Sequence, residues 1–456
     1  MRWLAVKLAT QNNVQKLKRM RLETASIARP TSSCNGQGFS ISSAVPVHTM
    51  KNSHSPLRPV LAGLFLTLAQ IVVAVCLLAP PGPFSNRYST LVQHDSYWFI
   101  NIVNRGYETI VPPINHKAME VSNVAFFPAY PALSALLRYG IGIETHNALL
   151  ITAQAAAWGF WSYFFLFCER WGLSVTLQSL GALSIVAHPA AFFLIAAYSE
   201  SLFLMMLLGF IYWTTVEGRR AKILAAVHGF VMSATRIVGI PCSVFPLVRS
   251  ILATKSSSLR APLAWFRQNV PALVLTLVSA AGAFVFFFYC QLRWGRWDMY
   301  MLTQSAGWGI IPDYLAVFKP SSYHWLIPNW NNPREASQMA MTLGAVLLLI
   351  IALCETIPAI WRRTNWQVRI GFYFCAAIIY FISVSGVASV AMESMLRYEF
   401  CVHALIVLAF LHFLRQFRAP ALVRALGMAA VALGSAAGLT VQSWYIWNFT
   451  RGNWIA

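Results

Sequence analysis

The chain has 456 residues, of which 58% are hydrophobic and 11% are charged, and its formal net charge is +20. Soluble domains contain about 25% charged residues, so this composition indicates an integral membrane protein. The basic residues form short clusters between apolar segments rather than one face of a soluble domain, which excludes a nucleic-acid-binding protein. The eight cysteines are scattered without a CxxC or Cys/His cluster, so neither a disulfide framework nor a zinc site is expected.

Residues 1–59 are basic and polar and contain no sustained apolar period. We interpret them as a disordered cytoplasmic tail, within which Met50 offers an alternative start. The uncharged segment 60–79 follows and is long enough to cross the roughly 30 Å core of a bilayer. Because the basic tail precedes this segment, the positive-inside rule places residues 80–147 in a first outer loop.

Further apolar segments bring the total to about eleven predicted crossings. The later ten are 148–167, 175–196, 201–216, 222–239, 240–253, 270–290, 339–360, 368–385, 398–414 and 425–442. The segment 126–143 is interrupted by Pro128, Pro131 and Arg138, and we interpret it as an interfacial helix. Counting it as a crossing would move the basic clusters GRRAK and WRR outside, against the positive-inside rule.

The predicted architecture is therefore an all-α polytopic membrane domain over residues 60–445. A second large outer loop is expected at 291–338, where Trp, Tyr, Pro and Asn are frequent. Such loops lie at the headgroup level and can stack on sugar rings. Residues 446–456 are predicted to form an outer C-terminal tail. We expect a multi-pass protein with its N-terminus in the cytoplasm and its site on the periplasmic, extracellular or ER-luminal side.

The first outer loop contains Asp95, one of three aspartates in the chain. The pattern from Ser96 onward predicts a short amphipathic helix with Asp95 as its N-cap and Gly106 as its C-terminal stop. Two interpretations of Asp95 stay open: a cap worth about 1 kcal/mol, or a general base at the membrane surface. Aromatic residues nearby are candidates to seat a lipid and a sugar ring; they are Tyr97, Trp98, Phe126, Phe127 and Tyr130.

Glu200 lies in the sequence AAYSES, two residues after Tyr198 and between two apolar segments. It is either a solvated turn carboxylate or a group in the same outer cavity as Asp95 that binds a sugar hydroxyl or a basic partner. His94 adjoins Asp95 and is a further candidate for substrate binding. The other histidines show no metal-ligand spacing, and no phosphate-binding loop or hydrolase motif occurs in a suitable context.

Arg236 and the pair Arg397-Tyr398 lie near the outer ends of predicted crossings, against the positive-inside trend. These arginines either snorkel to headgroups or grip a phosphate through their planar donors. A lipid phosphate as leaving group would explain both positions together.

Four sequences in order resemble the PIG-V-like mannosyltransferases, the family of GPI mannosyltransferase 2. They are HDSYWFINIVNRGYE with VAFFPAYPAL, HPAAFFLIAAYSESLF, SATRIVG and, more loosely, MESMLRY. This chain departs from the family pattern at His94, where the family has Trp, at His188, where it has Asn, and at Ile237 and Val238, which replace Ser-Asn. The departures leave the acceptor and the sugar in doubt.

The resemblance implies a GT-C glycosyltransferase fold with interfacial helices and an essential aspartate in the first outer loop. It also implies a polyprenyl- or dolichyl-phosphate sugar as donor, usually of mannose. We expect hexose transfer with inversion to a glycan, glycolipid or protein hydroxyl, with Asp95 as base, no metal or other cofactor, and room for a membrane accessory subunit. Two alternatives are a transporter or flippase of a lipid-linked sugar, and a non-catalytic membrane scaffold of the same fold.

Overall fold

The computed structural model describes residues 57–109, 122–253, 262–324, 333–356, 368–416 and 420–453. Within these ranges the chain is helical and contains no strand, which confirms the predicted all-α polytopic architecture. Residues 1–56 of the predicted tail lie outside the described residues, and the first helix already begins at Leu57.

The α-helices follow one another with short connections, several of which contain a 3-10 turn. In chain order they are α1 (Leu57–Val72), α2 (Phe84–Ser89), α3 (Ser96–Arg105), α4 (Ala129–Ala135), α5 (Thr145–Arg170), α6 (Val175–Val186), α7 (Glu200–Thr214), α8 (Arg219–Thr235), α9 (Gly239–Cys242), α10 (Phe245–Ala253), α11 (Pro262–Trp294), α12 (Met299–Trp308), α13 (Pro333–Thr356), α14 (Ile370–Val387), α15 (Met395–Gln416) and α16 (Ala421–Phe449).

Seven helices of the described ranges are long and apolar enough to cross a membrane: α1 with its continuation to Leu78, α5, α11, α13, α14, α15 and α16. The helices α6 and α7 and the pair α9–α10 are apolar but shorter, and α8 has 17 residues. Each of the predicted crossings thus corresponds to a helix or a helix pair. The segment 175–196 is interrupted, because α6 ends at Val186 and a 3-10 turn, Ala191–Leu194, follows.

Within its described residues, the predicted first outer loop contains three short helices rather than a further crossing. After a 3-10 turn at Asn123–Ala125, α4 continues into a π-helical turn that ends at Ile141. This helical segment begins at Ala129 and is shorter than the roughly 20 residues that span a bilayer core, in agreement with the interfacial interpretation. At the other end of the chain, α16 continues to Phe449, so the predicted tail begins inside this helix.

The core of the bundle forms around α8 and α15. Helix α8 packs against α7 and α11, and α15 packs against α6, α13 and α14. The contact of α8 with α11 depends on Gly282, because a Cβ atom there would lie 2.0 Å from the carbonyl oxygen of Phe230. Apolar side chains from most helices form one large buried cluster, so the helix ends are held in fixed positions.

Candidate active site

Four helix ends meet at one end of the bundle and border a cavity of about 930 Å³. They are the start of α3, the start of α7, the end of α8 and the start of α15. Each contributes one charged side chain to the cavity wall: Asp95, Glu200, Arg236 and Arg397. These residues are far apart in the sequence, so the packing of the helices brings them together.

Asp95 occupies the N-cap position of α3, but its side chain makes no capping hydrogen bond. Instead, Nη1 of Arg397 donates to Oδ2 of Asp95 at 2.6 Å, a charge-assisted pair of the strong kind. The predicted N-cap position is confirmed, but the carboxylate points to a cation in the cavity wall instead of capping the helix. The predicted C-terminal stop is confirmed, because Gly106 has a φ of 83° and its N–H donates to the carbonyl oxygen of Ile102 at 2.8 Å.

The loop that presents Asp95 is tied to the segment before α7. The hydroxyl of Tyr198 donates to the carbonyl oxygen of Gln93 at 3.2 Å, and the hydroxyl of Ser96 donates to the carbonyl oxygen of Ala197 at 3.0 Å. The side chain of Tyr198 is nearly buried and that of Ser96 is fully buried. The two hydrogen bonds flank Asp95 on either side, so they fix the position of its backbone relative to α7.

His94 connects the same loop to the end of the chain. Its Nε2 lies 3.1 Å from the carbonyl oxygen of Asn453, and a carbonyl oxygen can only accept, so this ring nitrogen carries the proton. Burial lowers the pKa of His94 below its ordinary value, while the Asn453 carbonyl and the charge of Asp95 act in the opposite direction. His94 is therefore a neutral neighbour of the carboxylate around neutral pH.

Glu200 is shared by the two arginines. Its Oε1 lies 3.0 Å from Nη1 of Arg236 and 3.5 Å from Nε of Arg397. The side chain of Glu200 is 1% exposed, and its Oε2 has no hydrogen-bond partner among the described residues. The structure thus gives this carboxylate basic partners, one of the two functions that the sequence left open.

Aromatic rings cover both guanidinium groups. The Arg397 guanidinium lies 5.3 Å from the ring centre of Tyr198, and the Arg236 guanidinium lies 5.0 Å from that of Tyr398. Phe193 and Phe203 provide further faces at 5.6 and 6.0 Å. Cation–π contacts of this kind stabilise a desolvated arginine.

Aromatic rings form a further part of the cavity wall. The rings of Trp98 and Phe126 are 6.0 Å apart, and Trp308 at the end of α12 lies 5.3 Å from Trp98 and 5.8 Å from Phe126. Behind them, Phe127 contacts Tyr300 at 5.0 Å. Trp308 and Tyr300 were not among the residues selected from the sequence. Their signal was the aromatic content of the predicted loop 291–338, which did not single out a residue.

Most of the predicted site residues line this cavity. Those that line it are His94, Asp95, Trp98, Phe126, Phe127, Tyr198, Glu200, Arg236, Arg397 and Tyr398. Two of the predicted site residues do not line the cavity. Tyr97 is 55% exposed on another face of α3, and Tyr130 is buried with its hydroxyl donating to the carbonyl oxygen of Leu149 at 2.8 Å, so it fastens α4 to α5.

Unusual backbone conformations flank the Asp95–Arg397 pair. Among the described residues, positive φ values outside glycine occur at His94 (50°), Ala391 (55°), Met392 (65°) and Ser394 (66°). Ser394 also accepts a hydrogen bond on its Oγ from Nη2 of Arg397 at 3.2 Å. Left-handed conformations in such residues are uncommon and persist where surrounding contacts hold them. Both partners of the ion pair therefore follow strained segments.

Two other buried ion pairs lie outside the cavity. In the interior, Nε2 of His188 is 2.6 Å from Oε2 of Glu399, while its Nδ1 accepts from the N–H of Ala190. At the opposite end of the bundle, Nη2 of Arg369 lies 2.6 Å from Oε1 of Glu355. From the sequence, His188 was noted only as a departure from the family pattern, and its acidic partner was missed. Within the part of the chain that the structure describes, no group of three His, Cys, Asp or Glu could hold a metal ion.

No family model and no curated protein matches this sequence. Three solved structures, each 12% identical, align with most of the chain. ArnT from Cupriavidus metallidurans bound to undecaprenyl phosphate gives a TM-score of 0.46 over 86% of this chain and 76% of that chain. The apo state of ArnT gives a TM-score of 0.44 over 88% of this chain and 77% of that chain. The third structure is the archaeal oligosaccharyltransferase AglB from Archaeoglobus fulgidus in complex with an inhibitory peptide and a dolichol-phosphate. It gives a TM-score of 0.44 over 85% of this chain and 56% of that chain. None of these likenesses assigns the chain to a family, so the PIG-V-like resemblance stays a prediction.

Proposed function

We propose that this protein is a membrane glycosyltransferase of the GT-C type that takes a hexose from a polyprenyl-phosphate donor and transfers it to an acceptor hydroxyl. One observation carries the proposal: a carboxylate and two arginines, linked through Glu200, line a cavity that aromatic side chains also line. The three requirements of such a transfer are a base, an anion-binding group and an apolar surface for the substrates. All three occur in this single cavity.

In the proposed reaction the acceptor oxygen attacks the anomeric carbon from the face opposite the phosphate. The bond from that carbon to the phosphate oxygen breaks, and the lipid phosphate departs with the electron pair. Asp95 takes the proton of the attacking hydroxyl, so the transfer inverts the anomeric centre. Its carboxylate is suited to this role because it borders the cavity and is 19% exposed.

Arg236 and Arg397 would bind the phosphate and stabilise its charge as the bond breaks. Two guanidinium groups suffice for a monophosphate leaving group, so we propose a reaction that does not require a divalent metal. The rings of Trp98, Phe126 and Trp308 would seat the sugar and the first part of the prenyl chain. Mannose is proposed as the hexose on the sequence resemblance alone.

The cavity would open on the outer or luminal side of the membrane. Support comes from the opposite end of the bundle, where Arg170 and Arg249 donate to the carbonyl oxygens of Thr215 and Thr214 at 2.8 and 2.6 Å. Arg369 lies at that end too, at the start of α14. By the positive-inside rule, the arginine-rich end faces the cytoplasm, which directs Asp95 to the other side.

The transporter alternative receives less support. A site for moving a lipid-linked sugar is expected near the middle of the bilayer, at broken helices. The charged residues of this cavity instead stand at helix ends, where Glu200 begins α7 and Arg236 immediately follows α8. This placement suits a substrate that approaches along the membrane surface.

The proposal is tested by sugar transfer from a polyprenyl-phosphate mannose to an acceptor glycolipid by purified protein. Replacing Asp95 by Asn keeps the shape of the side chain and removes its basicity, so kcat should fall about 10²- to 10⁴-fold. Asp298→Asn is the matched control, because that aspartate is half-buried, pairs with Arg296 and does not line the cavity. Transfer by Asp95→Asn at the rate of the control would refute the assignment of the base.

A further inference from the structure

Arg397 is bound on the cavity side by the residue proposed as the base. Its side chain is 7% exposed, and it contacts Asp95 at 2.6 Å, Glu200 at 3.5 Å and Ser394 at 3.2 Å. The two arginines and the two acids of this network sum to zero charge. Because Oδ2 of Asp95 accepts a charge-assisted hydrogen bond from Nη1 of Arg397, the free state holds this oxygen against the guanidinium and away from an acceptor hydroxyl.

A lipid phosphate that enters the cavity brings an additional negative charge and needs a cation. Both acids border the cavity, but Glu200 is 1% exposed and contacts both arginines, whereas Asp95 is 19% exposed and contacts Arg397. The contact of Arg397 with Asp95 is therefore the one that an anion in the cavity can replace. The contact with Glu200 can persist and keep the guanidinium oriented.

We propose that the donor phosphate displaces Asp95 from Arg397, so that donor binding releases the base. This inference depends on the proposed transferase function and adds a binding order to it: donor first, then acceptor. Before the exchange, Arg397 neutralises Asp95. After it, Arg397 neutralises the phosphate, and the freed carboxylate can accept a hydrogen bond from the acceptor hydroxyl.

The backbone on both sides of the pair fits such an exchange. His94 directly precedes Asp95 with a φ of 50°, and Ser394 precedes α15 with a φ of 66°. Conformations of this kind cluster at sites that change between two arrangements. The bound state does not need a helix to move, because a side-chain rotation of Asp95 is enough to break a single hydrogen bond.

The exchange predicts that removing the competing carboxylate strengthens phosphate binding. Undecaprenyl phosphate binding would be measured by calorimetry with the purified chain in nanodiscs. Asp95→Asn should bind it about tenfold more tightly than the wild type, a change typical of losing one close charged competitor. Arg397→Gln should bind it more weakly, and the melting temperature of each variant would be recorded to show that it is folded.

A matched control separates the exchange from a general loss of negative charge. Glu393 lines the same cavity and is exposed, and its side chain forms no ion pair within the described residues. Glu393→Gln should change the affinity by less than about twofold, because solvent screens its charge.

Each outcome has a distinct meaning. Tighter binding by Asp95→Asn alone supports the exchange. Equal tightening by Asp95→Asn and Glu393→Gln, or no tightening by Asp95→Asn, overturns it while the donor class survives. If neither the wild type nor Asp95→Asn binds undecaprenyl phosphate, whereas both are folded, the proposed donor class fails and the exchange fails with it.

Discussion

Glu200→Gln tests the ionic network directly, because it removes one charge and leaves the shape of the side chain. The Glu200 carboxylate contacts guanidinium nitrogens at 3.0 and 3.5 Å. At an effective dielectric constant of about 20, each contact contributes about 5 kcal/mol of Coulomb attraction, most of which is offset by the desolvation of the buried groups. Breaking a buried ion pair typically costs about 3–5 kcal/mol. We expect about 3 kcal/mol here, since Arg397 keeps Asp95 as a partner.

The assay is thermal unfolding of the purified protein in nanodiscs, with and without undecaprenyl phosphate. Glu200→Gln should melt several degrees below the wild type, because Arg236 then loses its acidic partner while Arg397 keeps Asp95. The lipid phosphate should raise the melting temperature of this variant more than that of the wild type. The reason is that a bound anion supplies the negative charge that the substitution removed.

Glu355→Gln is the matched control at the other end of the bundle. Glu355 is also buried and lies 2.6 Å from Arg369, so its loss should lower the melting temperature by a comparable amount. The lipid phosphate should stabilise this variant no more than the wild type, because the cavity is intact. A wild-type melting temperature for Glu200→Gln, or the same gain from the lipid phosphate in all three proteins, would refute the reasoning.

Two further predictions concern packing and pH. Gly282→Ala places a Cβ 2.0 Å from the carbonyl oxygen of Phe230. We expect it to destabilise the α8–α11 contact by about 1–3 kcal/mol, measured as a lower melting temperature. Gly427→Ala is the control and should be neutral or slightly stabilising, because open space surrounds that glycine. Burial lowers the pKa of His94, so the unfolded chain binds its proton first and the wild type should lose stability as the pH falls below about 6.5. The His94→Asn variant should lose less stability than the wild type over that pH range. Parallel pH profiles of the melting temperature for the two proteins would contradict this prediction.

The helices were predictable because a crossing needs a long apolar segment that is visible in the sequence. The breaks within segments were harder to place. The segment 175–196 reads as one apolar run, yet α6 ends before Pro189, whose ring disfavours helix in the preceding residue. The polar groups at this break are satisfied by tertiary contacts, above all by the pair of His188 with Glu399. Glu399 lies 211 positions from His188, so the local sequence around the break could not predict this pairing.

The site was predictable as a set of residues but not as a set of contacts. Asp95, Glu200, Arg236 and Arg397 stood out because charged residues near outer helix ends are uncommon. Which acid meets which arginine depends on helix packing, and Asp95 and Arg397 are 302 positions apart. The sequence therefore assigned Arg397 to a phosphate and did not predict that it holds Asp95.

The errors among the aromatic residues have a geometric cause. Successive residues of a helix point about 100° apart, so the run Tyr97, Trp98, Phe99 cannot direct all its rings into one cavity. Trp98 and Phe99 border the cavity, where Phe99 is buried against Tyr130, and Tyr97 is exposed on another face. Aromatic content locates such a wall in the sequence, whereas the rotational position of each helix decides which rings form it.

The zero net charge of the network also bears on product release. A site with two unopposed arginines would hold a lipid monophosphate tightly, and the product carries more negative charge than the phosphodiester donor. In this cavity, the two acids oppose the two arginines. Once Asp95 loses the proton that it accepted, its carboxylate again competes for Arg397. This competition lowers the affinity of the cavity for the lipid monophosphate product. The exchange that releases the base on donor binding would therefore, in reverse, release the lipid phosphate after transfer.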